Sequence, residues 1–378
     1  MTGSFDRSRV SLGLDALRGA RRSLHAHRLV VSVFAVPLAA FALATAVVAQ
    51  VKPSTSGLET EAISVSARAI SGFDRASSET RFGPLEFRGG LVLTAESKNF
   101  GGWSGMVLDE AGRRLVAVSD AGTWMTAEIG YDGARPVAIR QARLGPLKSL
   151  SAKTLRKNRD RDAEAVALSS GTLANGALLI SFEGNHRIGR FDIGADGVSA
   201  PQGYLSTPAE LKGARKRDGL EALTVLRGGP RKGQVVAFAE HFRDANRNHT
   251  GWIWSGDKPQ SFHLADIGEF DVTDVASLRN GDLIVLERRF RWLEGVKMRL
   301  RRVAAADVRA GATARGEVLL EANMGQEIDN MEALAVHTDA KGETVLTLLS
   351  DDNFNSFLQR TLLLQFTLVG DKAIQVAR

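Results

Sequence analysis

With 44% apolar residues against 24% charged, a chain of 378 residues can bury a sizeable core and is excluded from the compositionally disordered class. It contains no cysteine, which excludes disulfides, thiolate metal sites and a cysteine nucleophile. The formal net charge of +6 lies mostly within residues 1–49 and makes no case for nucleic acid.

Residues 1–28 carry Arg7, Arg9, Arg18, Arg21, Arg22 and Arg28 against Asp6 and Asp15, and Leu29 to Ala49 is uncharged. A basic segment, an apolar run and small residues at Val47-Val48-Ala49 follow the plan of an export signal, with Ala44-Thr45-Ala46 a second cleavage candidate. The run also reaches the ~20 residues that cross a bilayer. Residues 1–49 therefore read as a cleaved export signal or an N-terminal membrane anchor. The expected location is periplasmic or secreted, with inner-membrane anchoring as the alternative and the membrane met only through this segment. Removing 1–49 takes away six basic and two acidic residues, so the net charge falls from +6 to +2. Residues 50–60 read as a polar linker and 61–378 as the folded domain.

Two strand-like runs, Ile63–Ile70 and Leu85–Thr94, precede a unit that occurs five times. The first copy, FGGWSGMVLDEAGRRLVAVSDAG, spans Phe100 to Gly122: an apolar strand, a turn at Gly112, a returning strand, then Ser119-Asp120. Later copies open at Asp162, Asp218, Asp271 and Asp329, and turn at Asn175-Gly176, Gly233, Asn280-Gly281 and Gly342. Asn-Gly and lone glycines between apolar runs are hairpin signals, because the turn needs positive φ. Aligned, the first strands start at Ser104, Glu164, Glu221, Asp274 and Glu332, and the second strands end at Asp120, Glu183, Glu240, Glu287 and Asp351.

Two further strands can be read in each unit, the last being Ala373–Val376, and no long amphipathic helix interrupts them. The fold class is therefore all-β, a β-propeller of five four-stranded blades; pairing of the N-terminal runs with late strands leaves a sixth blade open. In a propeller the start of the first strand lies beside the end of the second, so the acids of all units face one mouth of the channel. A recurring acid can fasten blades through backbone N–H groups. Crowded carboxylates can also share a cation, and oxygen-only sites suit calcium or magnesium.

Asymmetric features point to chemistry. The loop before Glu164 carries Lys157 and Arg159, and the loop before Glu221 carries Lys216, as a phosphate-binding face would. His186-Arg187 and His241 with Arg243 follow the second and third hairpins; either histidine can move protons near neutral pH. Trp103 and Trp124 read as packing residues, whereas Trp252, Trp254 and Trp292 are candidates to border the mouth. There is no GxSxG elbow, HExxH or Walker loop.

The motifs FGGWSGMVLDEAGRRLVAVSDAGTWMTA, DAEAVAL with LLISFEGNHRIGRF, DGLEALTVL with VVAFAEH, and DNMEALAV with LTLLSDDNF resemble the phytase-like family known for esterase-like activity of phytase, across roughly residues 85–370. The resemblance implies a propeller, makes 61–378 a phytase-like β-propeller domain, and implies hydrolysis of phosphate or carboxylic esters. It carries over no catalytic residue, and likeness to the true β-propeller phytases is slight.

The expected function is hydrolysis of phosphate esters with a divalent cation, calcium by preference, at the channel mouth. Expected ligands are Glu164, Glu183, Glu221 and Glu332. Arg187, Arg243, Lys157, Arg159 and Lys216 would bind substrate, and Asp120, His186 and His241 would transfer protons. A carboxylic-ester or lactone hydrolase and a non-catalytic periplasmic binding or scaffold propeller are the alternatives. The expected partner is a small phosphorylated or ester substrate, and the expected state a monomer.

Overall fold

Alternating apolar and polar residues punctuated by turns make a chain whose regular structure is nearly all β, 58% strand against 2% helix. The computed structural model describes residues 52–215 and 218–372; Leu29–Ala49, Lys216 and the expected strand Ala373–Val376 lie outside them. Among the described residues no helix is long and apolar enough to cross a membrane.

In chain order β1 (Glu61–Ala62), β2 (Val65–Ile70), β3 (Arg81–Phe82) and β4 (Leu85–Ala95) come first. The first unit supplies β5 (Trp103–Leu108), β6 (Arg114–Ser119), β7 (Thr123–Asp132) and β8 (Arg135–Pro146). A single helical turn, α1 (Asn158–Arg161), leads into β9 (Ala163–Thr172), β10 (Asn175–Phe182), β11 (Arg187–Gly194) and β12 (Gly197–Tyr204). The third unit gives β13 (Leu220–Val225), β14 (Val235–Arg243), β15 (His249–Ser255) and β16 (Lys258–Leu264). The fourth gives β17 (Asp271–Ser277), β18 (Leu283–Arg291), β19 (Gly295–Val303), the short β20 (Thr313–Ala314) and β21 (Glu317–Asn323). β22 (Asn330–Thr338), β23 (Glu343–Asp351) and β24 (Thr361–Lys372) complete the chain.

These strands form five separate sheets, antiparallel except where β20 adds parallel to β16 at the outer edge of the third, with β5, β9, β13, β17 and β22 at one edge of each. Each of those five strands packs beside the next, and β22 returns to β5, so they enclose one channel. The molecule is a five-bladed β-propeller. The N-terminal runs make no sixth blade. β4 pairs with β24 as the fourth strand of the last blade, and β2 adds outside β4. β1 meanwhile joins the outer edge of the first blade at β8, so one short segment braces both sides of the closing seam.

Five apolar clusters fill the five junctions between blades. Leu286, Leu348 and Phe366 lie between the fourth and fifth blades, and Leu91, Met106 and Leu363 across the closing seam. Trp124 with Phe191, Leu179 with Trp252, and Phe238 with Val285 fill the others. Trp252 and Trp254 are thus buried junction residues and do not border the mouth; Trp292 is 74% exposed. Gly112, Gly233, Gly281 and Gly342 take positive φ as their turns require, but Gly176 does not. The second hairpin turns one pair earlier, at Leu173-Ala174, since Thr172 already pairs with Asn175. Leu173 tucks into the neighbouring junction, which outweighs the local Asn-Gly preference.

Every channel strand slips register near its start. In β5 Trp103 faces Ser119 but Gly105 faces Val118, leaving Ser104 as an extra residue. The same shift falls at Glu164-Ala165 in β9, Glu221 in β13, Thr273 in β17 and Glu332 in β22. A β-bulge of this kind bends the strand and re-aims the unpaired side chain. Gly105 beside the first bulge is required by space alone: a Cβ there would stand 2.6 Å from Ala165 Cα and 2.8 Å from Glu164 O. Both obstacles are backbone of the next blade. Gly105→Ala should therefore destabilise the fold by about 1–3 kcal/mol in urea unfolding, and an unchanged midpoint would show that the first two blades are not held in this close approach.

Candidate metal centre at the carboxylate mouth

The bulges set the rings of side chains at the mouth. Ser104, Glu164, Glu221, Thr273 and Glu332 occupy or adjoin the bulge in successive blades. The facing residues on the second strands are Asp120, Glu183, Glu240, Arg288 and Asp351. The backbone N–H groups of Asp120, Glu183 and Glu240 donate to Gly102, Asp162 and Gly219 two residues before each bulge, and Arg288 and Asp351 sit opposite Asp271 and Asn330 at the same level.

The fourth blade departs from the sequence alignment by one residue. Asp274 and Glu287, aligned with the other acids, are both buried in the protein body. Asp274 accepts from the N–H groups of Val275 and Leu334, 2.8 and 2.7 Å away, fastening the fourth blade to the fifth. Glu287 pairs with Arg301 at 2.5 Å. Arg288 takes the ring position and meets Glu332 at 2.6 Å and Glu240 at 3.2 Å. One blade therefore inserts a cation into a ring of acids.

On the opposite arc the acids outnumber their partners. Asp162, Glu164 and Glu183 bring carboxylate oxygens within 4.8 Å of one another, and so do Glu183, Glu221 and Glu240. Glu183 belongs to both groups. Two unit charges about 4 Å apart repel by about 4 kcal/mol at an effective dielectric of ~20, so these groups either keep protons or need a cation among them. Burial, then Asp162 and Asp120, pushes Glu164 well above the usual carboxylate range. Burial, then Glu164 and Glu240, does the same to Glu221. Glu183 is pushed up to about 7 by burial and then by Asp162 and Glu240.

Asp120 is pushed up to about 6 by burial, against the pull of Lys52 at 3.0 Å. His241 stands between Glu240, 3.0 Å from Nε2, and Asp271, 3.5 Å from Nδ1. Its hydrogen bond to Asp271 raises its pKa. Burial works to raise Asp271, but His241 and Arg243, the latter at 2.6 Å, hold it below the ordinary range.

The sequence-predicted residues thus divide. Glu164, Glu183, Glu221, Asp120 and His241 meet at one mouth, with Glu332 alongside but paired to Arg288. Arg243 is bound to Asp271, His249 and the Phe270 carbonyl. Arg187 donates to the Asn185 and Asp160 carbonyls and stacks 3.8 Å over Phe182. His186 is half-buried with Nδ1 unpartnered. Lys157 and Arg159 are exposed around α1, whose Arg159 backbone abuts Gly184 just after Glu183. Asp162 and Arg288 were missed as site residues, although both are one step from expected ones: Asp162 two residues before Glu164, Arg288 directly after Glu287 as His241 follows Glu240. A cavity of about 740 Å³ lies at the other end of the channel, between Val107, Leu168, Val225 and Val336, and holds none of these residues.

An oxygen-only donor set fits a hard divalent cation, since oxygens on one calcium lie about 2.3–2.6 Å from it and hence up to ~5 Å from each other. Without such a cation the folded protein keeps protons on Asp120 and Glu183 that the unfolded chain releases near its ordinary carboxyl range. More protons bound in the folded state mean that stability falls as pH rises from about 4.5 to about 7. In chelator the melting temperature should decline across that window, and Glu183→Gln should flatten the decline and raise the value at the alkaline end. A melting temperature that climbs with pH there, or ignores Glu183→Gln, would contradict the assignment.

A family model of phytase-like proteins, described as esterase-like activity of phytase, matches residues 98–354. That span holds all five channel strands and every carboxylate of the mouth. Comparison with curated proteins gave no match. The match covers well over half of the chain, which therefore belongs to the phytase-like family of esterase-like activity.

Proposed function

We propose that the protein is an exported hydrolase of phosphate esters that uses a divalent cation, calcium by preference, at the carboxylate mouth. Family membership supports a phytase-like hydrolase in general terms. The observation that carries the finer reading is Glu183, shared by two carboxylate groups whose oxygens stand within 4.8 Å of one another. Export rests on the arginine-rich segment and the uncharged Leu29–Ala49 run.

Asp162, Glu164, Glu183 and Glu221 would hold the cation, with Glu240 at the edge of the set and Glu332 held back by Arg288. When bound there, a divalent cation supplies Lewis acidity toward a phosphoryl oxygen and cancels the charge of the carboxylates. His241, whose pKa is raised by its hydrogen bond to Asp271 and by Glu240, is placed to give a proton to the departing alkoxide oxygen. Asp120, with one oxygen on Lys52 and the other unpartnered, accepts the proton of the attacking water. Arg288 meets the anionic substrate from the fourth blade, and the exposed Lys157 and Arg159 flank its approach. Arg243 acts by fixing Asp271, and Arg187 by fixing the Asp160 turn.

Hydrolysis of a phosphomonoester, a lactone and a carboxylic ester, each with calcium and with chelator, tests this reading. Phosphomonoester turnover should depend on calcium, fall at least about 100-fold in His241→Asn, and fall comparably in Glu183→Gln. Preference for the lactone would favour the carboxylic-ester alternative. No turnover of any substrate would favour a binding propeller.

A further inference from the structure

The mouth already contains a cation of the chain's own making. Lys52 reaches it from a segment expected to be linker, and its ammonium lies 3.0 Å from Asp120 Oδ2 and 2.5 Å from Asp162 Oδ1. It also donates to the Asp120 carbonyl at 3.4 Å. These partners are 68 and 110 residues away in sequence, so the placement is tertiary. The segment is strapped down at Lys52 itself and just after it. Arg161, itself buried, donates to the carbonyls of Pro53 and Lys52, and the buried Thr55 hydroxyl donates to the Leu155 carbonyl at 2.6 Å. The strap therefore crosses the loop that leads from the first blade into Asp162 and Glu164.

We propose that Lys52 is a tethered competitor for the divalent cation, occupying Asp162 until the cation displaces it. The inference rests on the cation reading given above. Asp162 is the shared resource: it binds Lys52 and also belongs to the group with Glu164 and Glu183. One ammonium satisfies Asp120 and Asp162 but leaves Glu164, Glu183 and Glu221 uncompensated, whereas a divalent cation brings twice the charge to the larger set. Two cations at adjoining carboxylates also repel, so binding of one favours departure of the other. The Lys52 side chain is 29% exposed, which leaves it a way out to solvent while the strap stays bound. Tethering gives the ammonium a high local concentration at this one place, and a cation must bind against it. The strap thereby sets the divalent concentration at which the site fills.

Amine acetylation of the full chain, read by mass spectrometry, and calcium titration by calorimetry test the proposal together. Without calcium, Lys52 should be acetylated at least about tenfold more slowly than the exposed Lys157, and saturating calcium should abolish that protection. Lys52→Met should bind calcium about tenfold more tightly than the natural chain, while Lys52→Arg, which keeps the charge, should bind nearly as the natural chain does. Rapid acetylation of Lys52 in the calcium-free protein would overturn the proposal. Equal calcium affinity in the natural chain and Lys52→Met, with Lys52 still protected at saturation, would overturn the competition while leaving the cation site standing. Failure of both proteins to bind any divalent cation would remove the site itself and the competition with it.

Discussion

The organising constraint is a single extra residue in each channel strand. A strand that keeps strict alternation at its start sends successive side chains into the two blade junctions, where apolar residues belong. The bulge interrupts that alternation at the point where the strand leaves the mouth, and turns Glu164, Glu221 and Glu332 out of the junctions. Below the bulge the pattern resumes, and Met106, Val166, Leu223, Val275 and Leu334 are buried in the junction clusters. One backbone irregularity thus separates a structural lower channel from a chemically loaded rim.

Because the rim repeats fivefold, its function depends on how the repeats differ. Ser104 and Thr273 supply no charge at the bulge, and Arg288 reverses the charge on the fourth blade. Arg288 and its partners Glu240, Glu332 and Asn330 neutralise one arc. Lys52 compensates part of another through Asp120 and Asp162. What remains is Glu164, Glu183 and Glu221 on the second and third blades, flanked by Glu240 and His241. Burial and mutual repulsion keep Glu164, Glu183 and Glu221 above their ordinary range, a cost in folding stability that a cation would relieve. The fold tolerates it because the junctions, from Trp124 to Phe366, are filled with large buried side chains.

Much of this was legible in the sequence. The period, the hairpins and the acids Glu164, Glu183 and Glu221 follow from repetition, since a residue type that recurs at a fixed place in a repeat shares a place in space. The blade count was less legible, because β4 and β24 are separated by most of the chain and nothing local shows that Leu85–Ala95 completes the last blade. The fourth blade was misaligned by one residue. Asp274 and Glu287 satisfy the acid pattern, and only the ladder register shows that Thr273 and Arg288 hold the equivalent places. A one-residue slip exchanges the faces of a strand, which is why pattern alone misleads there. Lys52 was invisible for the reason that β4 was: its partners are brought to it by the closed ring.

The central claim is that the acids of the second and third blades form one cation site. Crystals grown with calcium replaced by manganese, measured for anomalous scattering, test it most directly. The account predicts an anomalous peak among the carboxylates of Asp162, Glu164, Glu183 and Glu221, with the Lys52 ammonium moved off Asp162. A crystal without a peak at the mouth, with Lys52 still seated on Asp120 and Asp162, would contradict it.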